Sequence, residues 1–251
     1  MAERVQKVLA RLGVGSRRQI EDWMRQGRVR INDAPAKLGD TLALTDTVTV
    51  DGRRIDLDRA SSACRVLMYN KPEGEVCTRS DPQGRPSIFR RFPSLPNGRW
   101  VAVGRLDINT TGLILLTTDG DLANRLMHPS RAIEREYVVR VRGEVDAEVL
   151  DRLQRGIELD DGPAAFSKVY DIGGRGTNRW FGVILREGRK REVRRLWEAA
   201  GLQVSRLKRV RFGPISLPAH LRQGQFLDLD AGATAELKSI AGTGGKTITD
   251  R

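Results

Sequence analysis

The pattern of apolar positions in the first 50 residues predicts two short helices followed by small strands. Apolar residues recur at helical spacing over 5–12 and again over 20–24. Ser16 and Gln19 have the form of a capping box at the start of the second helix. Short strands follow up to Val50, and residues 52–63 lack periodicity, which predicts a linker.

Beyond the linker the pattern predicts a larger domain of mixed strands and helices. Residues 100–103 and 113–118 are predicted buried strands, and 136–142 alternates with Tyr137 on its apolar face. Several hairpin signals and no regular βαβ order favour an α+β fold. The segment after residue 231 is rich in Gly and Thr, which predicts a flexible tail. The predicted organisation is therefore domains at 1–51 and 64–231, a linker at 52–63 and a tail at 232–251.

The charge of the chain points to a polyanionic partner. Lys and Arg number 44 against 32 Asp and Glu, giving a formal net charge of +12. Residues 186–211 hold ten basic and three acidic residues, where Val193, Leu196 and Trp197 would pack one helix face and the arginines would project from the other. A second cluster surrounds the predicted second helix and consists of Arg17, Arg18, Arg25 and Arg28.

Several classes of protein are disfavoured by what the sequence lacks. No apolar run approaches the ~20 residues of a membrane span, and the charged N-terminus lacks the apolar core of a signal peptide. With two cysteines and two histidines at no ligand spacing, a disulfide framework or metal site is not expected. The expected protein is cytoplasmic and uses no metal or cofactor.

Residues 104–120, GRLDINTTGLILLTTDG, form the most unusual stretch of the chain. Asp107 lies in a polar loop between two apolar strands, where a carboxylate can act as a nucleophile or a base. The alternative is that Asp107 only caps a turn through its own backbone, as Asp often does. The pattern alone leaves both interpretations open.

This stretch resembles the catalytic motif of the RsuA/RluB family of pseudouridine synthases, and the resemblance continues through EGRKREVRRLWEAAG at 187–201. The N-terminal RVQKVLARLGVGSRRQIEDWMRQGRVRIN resembles an S4 domain, a small RNA-binding module. The resemblance implies an S4-type α/β domain before a catalytic domain with a mixed, largely antiparallel sheet. It also implies a cofactor-free isomerase that converts uridine to pseudouridine in ribosomal RNA, on the branch that modifies large-subunit (23S) RNA, and we expect a monomer.

The resemblance also assigns roles to individual residues. Asp107 matches the catalytic aspartate, which would attack the sugar C1′ or the base C6, or remove a sugar proton. The residues matched to substrate binding are Arg105 as a conserved basic residue, Tyr137 as the ring against the target base, Arg194 (alternatively Arg191) as the partner of the carboxylate, and Leu196 as a wall of the base pocket. The target uridine would leave its stack to reach the pocket.

Other interpretations share the charge and the S4-like helices. One is a non-catalytic S4-type RNA-binding or ribosome-assembly protein, and another is the same chemistry on small-subunit (16S) RNA. Catalysis is favoured by Asp107, Tyr137 and the arginines of GRKREVRR at 188–195, because binding alone does not require them. A nuclease would need a carboxylate cluster for metal ions, and the sequence shows none.

Overall fold

The structure, a computed structural model, describes residues 2–43, 45–57, 64–175 and 178–242. The chain divides into two compact units, one made of Met1–Arg65, Pro93–Val101 and Thr118–Gly120, the other of Val66–Phe92, Ala102–Thr117 and Asp121–Arg251. Both units combine helices with sheets, so the predicted α+β class is confirmed. Within the described ranges, none of the helices has the length and hydropathy needed to cross a bilayer.

The first unit packs two helices with two small sheets. Its helices are α1 (Val5–Arg11) and α2 (Arg17–Arg25), and its strands are β1 (Glu3–Arg4), β2 (Val29–Ile31), β3 (Ala34–Pro35), β4 (Thr41–Leu42), β5 (Val48–Val50) and β6 (Arg53–Ile55). The predicted capping box forms, since Gln19 N donates to Ser16 Oγ at 3.1 Å. Val5, Leu9 and Ile20 are fully buried in the core of this unit.

The predicted linker is wrong in its first part. Residues 53–55 form β6, an edge strand that pairs antiparallel with β5 in the sheet order β3-β2-β5-β6. Asp51 and Gly52 both have positive φ, as a two-residue hairpin turn requires, and this joins the two strands. Polar residues on an exposed edge strand hide its periodicity. Residues 58–63 lie outside the described residues.

The second unit is built on one large sheet. Its strands are β7 (Val66–Lys71), β8 (Val101–Val103), β9 (Thr111–Thr117), β10 (Arg135–Arg142), β11 (Ile157–Leu159), β12 (Gly162–Ala164), β13 (Lys168–Arg175), β14 (Asn178–Leu185), β15 (Gln203–Phe212), β16 (Ile215–Ser216) and β17 (Phe226–Asp228). Its helices are α3 (Gly120–Met127), α4 (Ala147–Arg155), α5 (Glu192–Ala199) and α6 (Ala231–Ile240), with short 3-10 helices at Ile88–Arg91 and Pro129–Arg131.

The main sheet runs in the order β13-β14-β10-β15-β9-β7-β17. Every neighbouring pair on this path is antiparallel except β15 with β9, which is parallel, so the predicted mixed, largely antiparallel sheet is confirmed. Paired residues on neighbouring strands share a face. Tyr137 of β10 therefore faces the same side as Val183 of β14 and Arg209 of β15.

A close approach of two backbones fixes the start of β9. Gly112 has φ +99°, and a Cβ there would overlap the carbonyl oxygen of Arg209 on the parallel strand β15. Only glycine meets both conditions, because other residues rarely adopt this φ and would add the overlapping atom. Gly112 thus holds the end of loop 104–110 against β15.

The C-terminal segment is more ordered than the sequence predicts. Residues 231–240 form α6 in place of the expected flexible tail. Asp230 caps the helix by accepting a hydrogen bond from Ala233 N at 2.7 Å, and Leu237 is fully buried. Because few residues of α6 face the core, its sequence shows no strong apolar periodicity. The predicted tail from 243 onward lies outside the described residues.

Candidate active site

A cleft of about 670 Å³ opens on the second unit. It lies between loop 104–110, one face of β10 and β15, and the segment that enters α5. Asp107 lines it together with Tyr137 and Arg209, and apolar side chains such as Leu185 and Val193 complete the walls. This combination of a carboxylate, a ring and apolar walls suits a flat polar ligand of the size of a nucleotide base.

Asp107 lies half-buried in the loop between β8 and β9. Its backbone carbonyl accepts from Thr110 N at 3.0 Å, so the loop closes a turn through the main chain. Among the described residues, no cation lies within ion-pair distance of its carboxylate. The turn therefore leaves the carboxylate available to the cleft, as a nucleophile or base requires.

Lys71 supports loop 104–110 by hydrogen bonds to its backbone carbonyls, a role that the sequence analysis missed. Its side chain is fully buried, and Nζ donates to the carbonyls of Thr110 and Pro72 at 2.9 Å and of Asp107 at 3.2 Å. Burial lowers the pKa of Lys71, and nearby acidic groups oppose this shift. The signal was present in the sequence, because the alternation of β7 places Lys71 on the same face as the buried Leu67 and Tyr69.

Cys77 supports the same loop beside Asp107. Leu106 N donates to its Sγ at 3.4 Å, and the thiol lines the cleft. Burial raises the pKa of the Cys77 thiol, which keeps it protonated at neutral pH. In the described part of the chain no three His, Cys, Asp or Glu side chains come together as a metal site requires.

Tyr137 on β10 lines the same cleft as loop 104–110. Its side chain is 9% exposed and lines the cleft, on the same face as its cross-strand partner Arg209. Arg105, exposed at the mouth, also lines the cleft. The fold thus brings Asp107, Arg105 and Tyr137 to one cavity, where a base stacked on the ring would face the carboxylate.

Arg191 and Arg194, the two arginines matched to the partner of the carboxylate, lie in different places. Arg191 begins α5 with a left-handed backbone (φ 52°) and lines the cleft. Arg194 is 5% exposed and lies outside the cleft lining, donating from Nη2 to the carbonyl of Asn109 and from Nη1 to that of Val204, each at 3.0 Å. Arg194 therefore binds the backbone of loop 104–110 and does not pair with the carboxylate of Asp107.

Leu196 does not line the cleft. Its side chain is instead buried in the core, with 0% solvent exposure. It lies one turn of α5 beyond Val193, which does line the cleft. The same helix face carries Trp197, whose ring lies 5.2 Å from that of Phe181 on β14. The prediction of Leu196 as a wall residue is therefore wrong; Val193 lines the cleft in its place, because among the residues of α5 those of the first turn reach the cavity.

Part of the charge in 186–211 is paired with carboxylates within the fold, whereas the sequence predicts a row of projecting arginines. Arg195 binds both carboxylate oxygens of Asp161 at 2.8 and 2.9 Å. Arg189 contacts Asp161 as well, and it donates to Glu187 at 2.9 Å. These arginines lower the pKa of Asp161 to about 2. They join the loop after β11 to α5, which is a structural task.

The arginines predicted for the S4-like unit are all exposed. Arg25 pairs with Asp22 at 2.5 Å, and Arg28 pairs with Asp51 at 2.6 Å while its guanidinium lies over Trp23. Arg17 and Arg18 lie at the start of α2, which is the end of a helix that attracts anions. These two are the better placed for phosphate contacts.

Glu192 is a buried carboxyl at the rim of the cleft. It is 3% exposed, accepts from Arg189 N at 3.0 Å, and lies beside Glu187. Burial, together with a hydrogen bond to Glu187, raises the pKa of Glu192 to about 7. The neutral carboxyl then donates to the carboxylate of Glu187, whose pKa Arg189 lowers.

Glu192→Gln is expected to flatten the dependence of melting temperature on pH. A carboxyl whose folded pKa lies above its ordinary 4.5 stabilises the fold below that value, and this stabilisation is lost as the pH rises through about 7. Glutamine keeps the hydrogen-bonding groups but does not ionise. Thermal unfolding near about pH 5 and pH 8 should show a larger decrease for the wild type. Glu198→Gln, an exposed site on the same helix, is the control, and equal decreases in wild type and Glu192→Gln would contradict this account.

Comparisons with known sequences agree with this geometry. The profile of the family described as RNA pseudouridylate synthase matches residues 65–199, and the S4 domain profile matches residues 3–48. The chain is 59% identical over 232 residues to ribosomal large subunit pseudouridine synthase B of Pseudomonas aeruginosa, covering 92% of this chain but only 60% of that relative. It is 56% identical over 243 residues to the protein of the same name from Escherichia coli K12, covering 96% of this chain and 84% of the relative.

A solved structure gives the same result for the fold. The crystal structure of a pseudouridylate synthase superposes with a TM-score of 0.65 at 27% identity, covering 93% of this chain and 99% of that one. Asp107, Tyr137 and the α5 arginines all lie inside the segment that the synthase profile matches.

Proposed function

The chain belongs to the RNA pseudouridylate synthase family and carries an S4 domain, and we propose that it isomerises uridine to pseudouridine in large-subunit (23S) ribosomal RNA. The observation that carries this proposal is the unpaired carboxylate of Asp107, held in a cleft opposite Tyr137. Relatives named for the large subunit support the choice of RNA.

The cleft supplies what the isomerisation requires from a protein. The base must detach from C1′, turn, and rejoin through C5, so it must be held while no bond joins it to the sugar. Tyr137 offers a stacking surface, and the apolar walls exclude water from the reacting atoms. Asp107 provides one carboxylate oxygen as nucleophile or base, on a loop held by Lys71 and Arg194 through its carbonyls. Arg191 and Arg105 are placed to bind the RNA backbone at the mouth.

Modification mapping tests the proposal directly. Pseudouridines are mapped in 23S and 16S RNA from cells with and without this chain, and then in deproteinised RNA treated with the purified protein. We expect one 23S position to lose its modification without the chain and to regain it in vitro. If a pseudouridine is instead lost from 16S RNA, the substrate is the small-subunit RNA. No change in either RNA would contradict catalysis.

The S4 domain is proposed to hold RNA by phosphate contacts. Replacing Arg17 and Arg18 together by Gln is expected to weaken RNA binding several-fold and to reduce the slope of log Kd against log salt by about 1–2, because two phosphate contacts are lost. The rate at saturating enzyme should stay unchanged. The charge-matched control replaces Arg152 and Arg155 on α4, and an equal loss of affinity in that control would contradict a specific role for α2.

That the protein acts as a monomer stays a prediction. Because ribosomal RNA is made in the cytoplasm of bacteria, we propose that the protein acts there.

A further inference from the structure

Arg209 in the wall of the cleft is a buried cation with no carboxylate partner in the part of the chain that the structure describes. It is 3% exposed, and its Nε donates to the carbonyl of Leu113 at 2.7 Å. Its Nη2 is shielded from solvent and has no hydrogen-bond partner among the described residues. A buried charge left unpaired costs several kcal/mol. Such a group in a cleft wall is therefore expected to complete its contacts with a ligand.

The sheet register places this guanidinium beside the proposed stacking ring. Arg209 pairs with Tyr137 across β15 and β10, and the next pair on that face is Phe212 with Arg135. Both guanidinium carbons lie over the ring of Phe212, at 5.6 Å for Arg209 and 5.2 Å for Arg135. Arg135 donates only to backbone carbonyls. The hydroxyl of Thr110, also in the cleft wall, has no partner among the described residues.

Arg211, on the opposite face of β15, is an arginine with carboxylate partners. Arg211 lies on that face and binds Glu136 at 2.7 Å and Glu134 at 3.1 Å. Arg209 is more deeply buried than Arg211 and has no such carboxylate. The difference between two arginines of one strand points to a ligand on the cleft side.

We propose that Arg209, with Arg135 behind it, binds the carbonyl oxygens of the target uracil and stabilises the anion formed when the base leaves the sugar. This inference rests on the proposed function. When the N1–C1′ bond breaks, its electron pair stays on the base and spreads over N1, O2 and O4. C1′ gains electrons from a carboxylate oxygen of Asp107 or from the C2′–H bond. After the base turns, C5 bonds to C1′ while the Asp107–C1′ bond breaks and its electron pair returns to the carboxylate; in the other route the glycal double bond opens and C2′ takes back its proton. The C5 proton is then lost and N1 takes up a proton, so no oxidant or reductant is needed.

A base fits this position better than a phosphate. Leu185, Val193 and Leu207 line the cleft together with Tyr137 and suit a flat heterocycle beside the buried Arg209. The exposed Arg105 and Lys190 of the same lining are better suited to a backbone phosphate. The guanidinium offers N–H donors to the carbonyl oxygens over which this negative charge is delocalised. A fixed cation where negative charge develops lowers the barrier without binding the neutral ground state equally well.

Substitution of Arg209 with a change of leaving group tests this role. Arg209→Gln is expected to slow single-turnover conversion of uridine by about 10²–10³-fold while the Kd for RNA stays within about threefold. The loss should be at least about tenfold smaller on RNA carrying 5-fluorouridine at the target, followed as cleavage of its N-glycosidic bond, because fluorine itself stabilises the departing anion. Arg209→Lys keeps the charge and should fall between the two proteins, which guards against a folding defect in the Gln variant.

Lys208→Gln is the matched control, since it removes one positive charge from the neighbouring position on the other face of β15. Melting temperatures of all variants are measured alongside. Equal losses on uridine and 5-fluorouridine would overturn the leaving-group role, and so would a large increase in Kd with an unchanged single-turnover rate. A wild type that forms no pseudouridine would instead refute the proposed function.

Discussion

Asp107→Asn is expected to abolish pseudouridine formation while RNA affinity stays within a few-fold of wild type. The amide is isosteric but cannot supply a charged oxygen to C1′ or C6, or accept a sugar proton, so a loss of at least about 10⁴-fold is expected. No ion pair among the described residues depends on this carboxylate, and the loop is held by backbone contacts that the substitution leaves in place. The fold should therefore be preserved.

Chromatography of nucleosides from treated RNA measures the product, and filter binding measures the affinity. Asp151→Asn on α4, an exposed carboxylate paired with Arg155, is the control for a generic loss of charge. Product formed by purified Asp107→Asn at more than a trace of the wild-type rate would remove Asp107 from the chemistry.

Lys71→Met should produce the largest loss of stability among these variants. Methionine fills a similar space and relieves the cost of a buried charge, but the carbonyl oxygens of Pro72, Asp107, Ile108 and Thr110 lose their contact with Nζ. Those of Asp107 and Ile108 keep a backbone donor. An unsatisfied buried polar group costs about 1–3 kcal/mol, so the lost contacts outweigh the relief. We expect the free energy of unfolding to fall by about 2–4 kcal/mol.

Urea denaturation compares this variant with the wild type and with Lys168→Met. Lys168 is exposed on β13, where the same replacement should change stability by less than about 0.5 kcal/mol. Activity of Lys71→Met should fall as well, because the loop that carries Asp107 loses its support. An unchanged urea midpoint would show that the lysine is not needed for the fold.

The sequence predicted elements well where one face is buried and the other is polar. The helix caps at Ser16 and the alternation through Tyr137 were confirmed, because each is written in consecutive residues. Strand β6 and helix α6 were missed, since few of their residues reach a core and their apolar pattern is weak. Periodicity reports burial, so elements with little burial leave little signal.

The candidate site divides in the same way. The sequence by itself determined that Asp107 lies in a loop between two apolar strands and that Tyr137 lies on the apolar face of a strand. Both follow from local pattern, and the roles that the family resemblance implies for them stay predictions.

Only the tertiary structure decided which groups meet. Arg194 reaches a carbonyl 85 residues away and Arg209 one 96 residues away, while Lys71 binds carbonyls 36–39 residues along the chain. The tertiary structure also buries Leu196 in the core. It gives Arg211 two carboxylate partners, whereas Arg209 has none among the described residues. A periodic pattern specifies the face on which a side chain lies. Its partner across the sheet is set by strand order and register, which depend on contacts between distant segments.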